Sequence, residues 1–113
     1  MITSCIFCQI GETEADKHLY SDERCFVIRD VAPLASTHLL VISHQHITSL
    51  GEASLLKEPL VGHFISIANL MARRENVHES GYRLVINQGR DAGQTVDHLH
   101  IHVMGGEQLS PIG

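Results

Sequence analysis

Histidine alternates with an apolar residue three times in the segment His-Leu-His-Ile-His-Val at residues 98–103. Successive side chains of a β-strand point to opposite faces of the sheet, so this spacing predicts a strand from about residue 98 to residue 104. The three imidazoles would share one face, and the intervening leucine, isoleucine and valine would point into a core. Histidine is also the anomaly of the composition, with nine copies in 113 residues. We therefore expect the imidazoles on this face to have a functional role.

The imidazole face is open to three interpretations on spacing alone. Packing all three rings in a core without partners would be costly, so a purely structural role is the weakest of them. Imidazole is a common metal ligand, and histidines two residues apart on a strand present two ligands together, so a metal site is stronger. The third interpretation is a site for phosphorus chemistry, which depends on the residues that precede the strand.

The preceding segment, residues 87–96, reads Asn-Gln-Gly-Arg-Asp-Ala-Gly-Gln-Thr-Val and has the composition of an anion-binding loop. Its amide and hydroxyl side chains offer neutral hydrogen-bond donors, and exposed backbone N–H groups in such a loop can form a concave anion site. A glycine-bearing loop alone is usually just a turn. Joined directly to the imidazole face, it favours a phosphate-binding site that needs no lysine.

Length and charge limit the classes of protein to which the chain can belong. Its 113 residues have the usual size of one domain, so we expect a single domain over residues 1–113. The net charge is −5, and no segment concentrates the basic residues, so no nucleic-acid partner is expected. The first residues do not resemble a signal peptide, and no run of about 18 apolar residues occurs, so we expect a cytoplasmic protein without a membrane partner.

The remaining pattern predicts an α+β fold with a five-stranded antiparallel sheet, one main helix and a short N-terminal helix. Residues 53–78 have the spacing of an amphipathic helix, with an apolar stripe formed by Leu56, Leu60, Phe64, Ile67 and Met71. Pro59 within this segment predicts a helix start or a kink. The short helix is expected at residues 6–11. Residues 20–24 are expected to be a strand that enters a polar turn, and the other strands are expected at residues 25–30, 38–43, 83–87 and 98–104.

Three cysteines, an odd number, favour reduced thiols or a metal site over a disulfide framework. Cys5 and Cys8 are spaced as half of a tetrahedral zinc site, which two imidazoles from elsewhere would complete. Buried apolar packing of the two thiols is the alternative. Cys25 lies within a predicted strand and is expected to be a small core residue.

Residues 94–103, Gln-Thr-Val-Asp-His-Leu-His-Ile-His-Val, resemble the signature of the histidine triad (HIT) family, and specifically its Hint branch of nucleoside phosphoramidate hydrolases. The resemblance covers nearly the whole chain and extends to residues 5–8, 29–33, 37–42, 46–47 and 82–87. It implies a hydrolase that cleaves nucleoside 5′-monophosphate esters or amides at the α-phosphate, with a purine, AMP-type substrate of the adenosine phosphoramidate kind.

The resemblance also implies roles for the triad. His100 matches the nucleophile that forms a covalent nucleotidyl intermediate, later released by water, and a neutral imidazole nitrogen is a good nucleophile near pH 7. His102 would lie near the α-phosphate and the leaving group, where an imidazolium can hydrogen-bond or donate a proton. Asn87, Thr95 and the backbone of residues 93–95 would hold the non-bridging oxygens as charge builds on them.

Further positions match the nucleotide site of relatives. Asp30 would accept hydrogen bonds from the ribose hydroxyls, although it also suits an ordinary turn before Pro33. The positions that enclose the base, which would be apolar in a plain core too, are Ile6, Phe7, Ile10, Ile28 and Val31. The remaining expected nucleotide contacts are Asn87, Gly93, Gln94, Thr95, His100 and His102.

The other histidines are less informative. His38 matches a family histidine that would orient a neighbouring imidazole, while a core histidine bonded to backbone is nearly as plausible. The histidines that match no role, and that we expect on the surface or on a helix face, are His18, His44, His63 and His78.

In zinc-bearing relatives the two ligands that complete the cysteine pair match His46 and His98. The resemblance therefore implies a structural zinc ion held by Cys5, Cys8, His46 and His98. The triad would then divide its work, because His98 would hold zinc while His100 and His102 carry out the phosphorus chemistry.

A homodimer is implied as well, with the long helix and a strand pairing across a two-fold axis so that the sheet extends into the partner. The apolar stripe of the helix suits an interface or a core equally. The carboxyl end departs from the family pattern, since Glu107 stands where many relatives have arginine and no tryptophan follows it. In relatives this tail reaches the partner's active site.

Two other functions stay open. A non-catalytic nucleotide-binding or regulatory module of the same fold would keep the triad without turnover. A metalloenzyme with all three triad histidines on one catalytic metal is less economical, because it leaves the loop and the cysteine pair without a role. Within the family, His102 favours hydrolysis, since the nucleotidylyltransferase branch has glutamine at this position.

Overall fold

The computed structural model describes residues 5–51 and 58–112. Its elements in chain order are helix α1 (Ile6–Thr13), strands β1 (Tyr20–Ser21), β2 (Cys25–Arg29) and β3 (Thr37–Ser43), helix α2 (Glu58–Arg74), and strands β4 (Tyr82–Val85) and β5 (His100–Gly105). Short 3-10 turns cover Ala15–Lys17 and Arg90–Ala92. The predicted α+β fold with a five-stranded antiparallel sheet is confirmed.

The strands are ordered β1-β2-β3-β5-β4 across the sheet. The last strand of the chain therefore lies between β3 and β4, and the chain passes from β3 through α2 to the edge strand β4 before it returns as β5. In the register of β3 with β5, Ile42 lies opposite His100 and Leu40 lies opposite His102. The histidine-bearing strand is thus held on both of its edges, which fixes the direction of its side chains.

The sheet is covered on both faces, as the apolar run in β3 predicts. Every residue of β3 is buried. Leu39 and Val41 belong to the larger core, which also contains the buried residues of α2. Leu40 and Ile42 point to the other face, where they form a second core cluster with Phe7 and Ile10 of α1.

Helix α2 packs its apolar stripe against the sheet. The stripe residues in the larger core are Leu60, Phe64, Ile67 and Met71. They are core residues and not a free interface. Leu56 and the rest of residues 52–57 lie outside the described residues. Pro59 lies just beyond these residues, so the helix start or kink predicted at Pro59 stays a prediction.

The predicted end of this helix at residue 78 is wrong, because α2 ends at Arg74. Asn76 adopts a φ of 59° just beyond the helix, and the N–H of Val77 reaches back to the carbonyl of Ala72. A residue in the left-handed region with such a backward hydrogen bond is a common helix terminator.

The polar turn predicted after the first strand is present: β1 contains two residues, and the carboxylate of Asp22 then accepts hydrogen bonds from the backbone N–H groups of Arg24 and Cys25 and folds the chain into a turn. Two predicted strand boundaries need correction. β4 ends at Val85, and the two residues after it leave the sheet for the loop. β5 begins at His100 and not at His98, since the N–H of Leu99 donates to Ile47 O at 2.7 Å.

Two of the histidines expected on the surface or on a helix face, His18 and His63, make structural contacts. The ring of His18 stacks on Phe26 with a centroid distance of 4.6 Å, and its Nε2–H donates to the carbonyl of Ile10 at 3.1 Å. His63 on α2 bonds the carboxylate of Asp22 at 2.6 Å. Both therefore link helices to the β1–β2 hairpin.

No helix in the described ranges is both long enough and apolar enough to cross a membrane.

Candidate active site and metal centre

His100 lies on the α1 side of the sheet and has one ring nitrogen engaged. Its Nδ1 lies 2.6 Å from the carbonyl oxygen of His98. A carbonyl only accepts hydrogen bonds, so Nδ1 must carry the proton and donate it. The neutral ring then has its lone pair on Nε2. Phe7 supports this ring edge-on, with centroids 5.0 Å apart.

A pocket of about 350 Å³ opens over this side of the sheet. His100 and His102 form one part of its lining, together with Thr95 and Val96. Asp30, the first residue after β2, lines it as well. The apolar part of the lining is contributed by Ile6, Phe7, Ile10, Ile28, Val31 and Leu40. A mostly apolar pocket with a few converging polar groups is the usual form of a small-molecule site.

His102 is connected to His38 and Asp30 through a hydrogen-bond network. The N–H of Leu34 donates to Nδ1 of His38 at 3.0 Å, so the ring proton of His38 is on Nε2. This Nε2–H faces Nδ1 of His102 at 2.9 Å and the carboxylate of Asp30 at 3.3 Å. Nδ1 of His102 accepts, which places the proton of His102 on Nε2. His38 therefore fixes the tautomer of His102, as expected from the sequence.

The same network explains the charge of His102. Burial, followed by the neighbouring His100 and His38, lowers the pKa of His102 to about 4, although Asp30 works in the opposite direction. The ring is therefore neutral at pH 7 and donates through Nε2–H without an additional proton. This differs from the imidazolium that the sequence suggested.

The loop between β4 and β5 is held by its own side chains. Asn87 Nδ2 donates to Ala92 O at 2.7 Å, while the Gln94 amide accepts from Gly89 N at 2.8 Å and donates to Val96 O. Gly93 has a φ of 81°, which favours glycine. Asn87, Gly93 and Gln94 shape this loop and are not part of the pocket lining, whereas Thr95 is.

A second cluster lies at the start of α1. The ligating atoms of Cys5, Cys8, His46 and His98 lie within 4.8 Å of one another. His98 Nδ1 is 3.3 Å from Cys5 Sγ and 3.2 Å from His46 Nδ1, and His46 Nδ1 is 3.2 Å from Cys8 Sγ. Atoms bound tetrahedrally to one zinc ion are separated by roughly 3.3–3.8 Å.

The protonation of these side chains also suits a metal. Nε2 of His98 donates to Ser43 O at 2.7 Å, which leaves the lone pair on Nδ1, the atom that faces the cysteines. Burial, together with Cys5, raises the pKa of the Cys8 thiol to about 11. Metal binding here would therefore displace thiol protons. The donor set fits Zn²⁺, which prefers thiolate and imidazole ligands in a four-coordinate site.

The three triad histidines do not converge on one point. His98 precedes β5, and its free nitrogen belongs to the cysteine cluster, while His102 is bonded to His38. Within residues 5–51 and 58–112, none of the clusters able to hold a metal contains His100. The arrangement therefore disfavours a single catalytic metal on all three histidines.

Four lining residues were not identified from the sequence: Lys17, Arg29, Leu40 and Val96. Leu40 could have been found by strand alternation, because it shares a face with Ile42 and lies opposite His102. Val96 is the last residue of the loop segment 87–96, and Arg29 lies in segment 29–33 of the family resemblance, so the sequence held a signal for both. Lys17 belongs to no motif, and the 3-10 turn after α1 brings it to the pocket.

Comparison with known proteins gives a consistent result. The family model described as HIT domain matches residues 12–109. A purine nucleoside phosphoramidase of Escherichia coli is 35% identical over 113 residues, which cover 99% of this chain and 95% of the relative. A HIT family hydrolase from Clostridium thermocellum superposes with a TM-score of 0.92 at 36% identity, covering 99% of this chain and 98% of that one.

A zinc-bound histidine triad family protein from Mycobacterium smegmatis is also similar in structure. Its TM-score is 0.79 at 32% identity, and the match covers 95% of this chain and 80% of that one. The names of these relatives support a hydrolase at the level of the family.

The lowered pKa of His102 predicts a stability that depends on pH. Above about pH 6.5, His102 is neutral in the folded and unfolded states; below it, the unfolded state binds a proton that the folded state does not bind. The free energy of unfolding of the metal-free protein should therefore fall as the pH drops from 6.5 to about 4. Urea unfolding at stepped pH measures it. A His102→Gln variant should lose less stability over this window, and an unchanged slope would contradict the assignment.

Proposed function

Because this chain belongs to the HIT domain family, we propose that it is a hydrolase that cleaves nucleoside 5′-monophosphate esters and amides at the α-phosphate. One observation carries the proposal: the hydrogen bond from Nδ1–H of His100 to the carbonyl of His98 leaves Nε2 free as a nucleophile in a residue that lines the pocket. The name of the Escherichia coli relative supports a phosphoramidate of a purine nucleoside as the substrate.

Two displacements at phosphorus would complete the reaction. Nε2 of His100 attacks the α-phosphorus, the bond from phosphorus to the leaving nitrogen or oxygen breaks, and the nucleotide stays on His100 while the leaving group takes up a proton from water. Water then attacks the same phosphorus, the bond to His100 breaks, and the nucleoside monophosphate is released. Splitting the reaction in two replaces one difficult displacement by two easier ones.

His102 would act as the donor beside the phosphate. Its Nδ1 accepts from His38, so its Nε2–H is available for a non-bridging oxygen or for the leaving atom. His38 is a positioning residue, because it acts through His102. Thr95, which lines the pocket, would stabilise with the nearby backbone the charge that builds on the phosphate oxygens, and Asn87 would act by holding this loop through its bond to Ala92. The internal bonds of Asn87 and Gln94 keep this loop in shape for that role.

The rest of the pocket would hold the nucleoside. The apolar side chains of α1 and β2 offer flat contacts for a purine, and Asp30 offers a carboxylate for the ribose hydroxyls. Gly93 and Gln94 would contribute indirectly, by shaping the loop that carries Thr95. We propose an AMP-type nucleotide as the occupant of this pocket, and no nucleic acid.

The cluster of Cys5, Cys8, His46 and His98 would hold a structural zinc ion. When bound, zinc supplies a crosslink among α1, the chain after β3 and the chain before β5. These residues also matter to the nucleophile, since the carbonyl that orients His100 is that of His98. The four ligands would therefore hold the backbone that precedes β5 in place.

Replacing the nucleophile should abolish the reaction. We expect His100→Ala to release AMP from adenosine 5′-phosphoramidate at least about 1000-fold more slowly than wild type, because no other group supplies the attacking lone pair. AMP release, followed by chromatography, measures this. His78→Ala, at an exposed histidine outside the pocket lining, is the matched control. Equal rates in wild type and His100→Ala would refute the covalent mechanism, and an inactive wild type that still binds AMP would favour the non-catalytic module.

Zinc content gives an independent test. Purified protein should contain about one zinc ion per chain, and a Cys5→Ser, Cys8→Ser double variant should lose it, since thiolates are the strongest ligands of the set. Metal analysis with a Cys25→Ala control separates ligation from the loss of a buried thiol. Metal-free wild-type protein of unchanged stability would end the zinc proposal.

We also propose a homodimer in which the sheet extends across a two-fold axis. β4 is at the edge of the sheet, and all four of its residues are half-buried. An edge strand with this much apolar character is suited to pair with a second strand. Light scattering should give the mass of two 12.5-kDa chains. A mass of one chain at all concentrations tested would overturn the dimer.

A further inference from the structure

We propose that Glu107 is a positioning residue for the nucleoside. Its carboxylate holds the wall loop, which we define as residues 30–36 between β2 and β3, in the position that presents Asp30 and Val31 to the pocket. The inference rests on the proposed function, because it assigns to Glu107 a part in binding the nucleotide in that pocket.

Glu107 makes two short hydrogen bonds to the wall loop. Its Oε1 accepts from the backbone N–H of Ser36 at 2.6 Å and from the hydroxyl of Ser36 at 2.8 Å. A carboxylate that accepts hydrogen bonds makes them stronger than a neutral acceptor does. A single side chain from the segment after β5 thus ties down the end of a loop 71 positions earlier in the chain.

The backbone is shaped for this contact. Gly106 adopts a φ of 85°, which turns the chain directly after β5. A Cβ at this position would lie 3.1 Å from Cβ of Ser36 and 3.4 Å from the backbone nitrogen of Thr37. The turn therefore presses closely against the end of the wall loop, and glycine makes that approach possible.

Burial contributes little to holding the wall loop. Val31 is 98% exposed and Leu34 is 78% exposed, so its large apolar side chains are mostly in water. The order of the loop must therefore depend on hydrogen bonds. Most of these are internal to the β2–β3 hairpin: Asp30 N–H donates to His38 O, and Ala32 N–H donates to the carboxylate of Asp30.

Glu107 supplies the anchor from outside the hairpin. Within the described residues, the two bonds to Ser36 are the side-chain hydrogen bonds that reach the wall loop from outside the β2–β3 hairpin, since His38 belongs to β3. The loop also carries the N–H of Leu34, which fixes the tautomer of His38. Loss of the bonds to Ser36 would make the wall loop more mobile. It would affect the triad only indirectly, through His38.

Steady-state kinetics with adenosine 5′-phosphoramidate tests this role. For Glu107→Ala we expect KM, and the Kd for AMP, to rise roughly 3- to 10-fold, the effect of losing one or two exposed hydrogen bonds, while kcat stays within about twofold. Glu107→Gln keeps an acceptor oxygen and should recover most of the affinity. Glu79→Ala, at a side chain that is 91% exposed, is the matched control.

A double variant tests whether the effect passes through Ser36. Ser36→Ala alone should raise KM less than Glu107→Ala, because the backbone N–H remains as a donor. The combined Ser36→Ala, Glu107→Ala variant should be no worse than Glu107→Ala, since the shared contact is already lost. Independent, additive effects of the two substitutions on KM would overturn the proposal.

Hydrogen exchange in the nucleotide-free protein tests the anchor itself. The amides of Leu34 and Ser36 should exchange faster in Glu107→Ala and near the wild-type rate in Glu107→Gln. Unchanged exchange, or a lower Tm with unchanged KM, overturns the positioning role. If wild type neither binds AMP nor turns over the phosphoramidate, the proposed function fails; an active Glu107→Ala variant with wild-type KM contradicts this inference alone.

Discussion

The placement of β5 between β3 and β4 is the constraint on which the rest of the site depends. Pairing on both edges leaves the strand no freedom to rotate, so Ile101 and Val103 are committed to the larger core. His100 and His102 must then project from the opposite face, under α1. A shift of one residue in register would place both imidazoles in the larger core and turn Ile101 and Val103 toward α1, which makes the arrangement strongly specified.

Position alone does not make His100 reactive in the proposed reaction. The backbone bends just before β5, and this bend brings the carbonyl of His98 to Nδ1 of His100 while the ring of His98 turns to the cysteines. One residue thus supplies a ligand atom through its side chain and an acceptor through its backbone. The metal cluster and the nucleophile are consequently joined by a single peptide unit.

On the other side of His100, a chain of hydrogen bonds sets the protonation of His102. It begins at the backbone N–H of Leu34 and passes through His38, so that each ring has one donor and one acceptor nitrogen in a defined place. Burial keeps His102 neutral. The hydrogen-bond network holds its ring proton on Nε2, so the ring donates in one defined direction without a positive charge. A pre-set tautomer of this kind lowers the reorganisation that a reaction would require.

The sequence by itself determined the features that follow from local backbone geometry. The period of two placed His100 and His102 on one face, the run in β3 predicted burial on both sides, and the apolar stripe of α2 predicted its packing, because these patterns need only the pitch of a strand or helix. The family resemblance supplied the four candidate zinc ligands. Only the tertiary structure decided where β5 begins, that Asn87 and Gln94 shape their loop, and that Lys17 reaches the pocket. It also joined Glu107 to Ser36. These features arise from contacts between segments far apart in the chain, and such contacts depend on how the helices and strands pack.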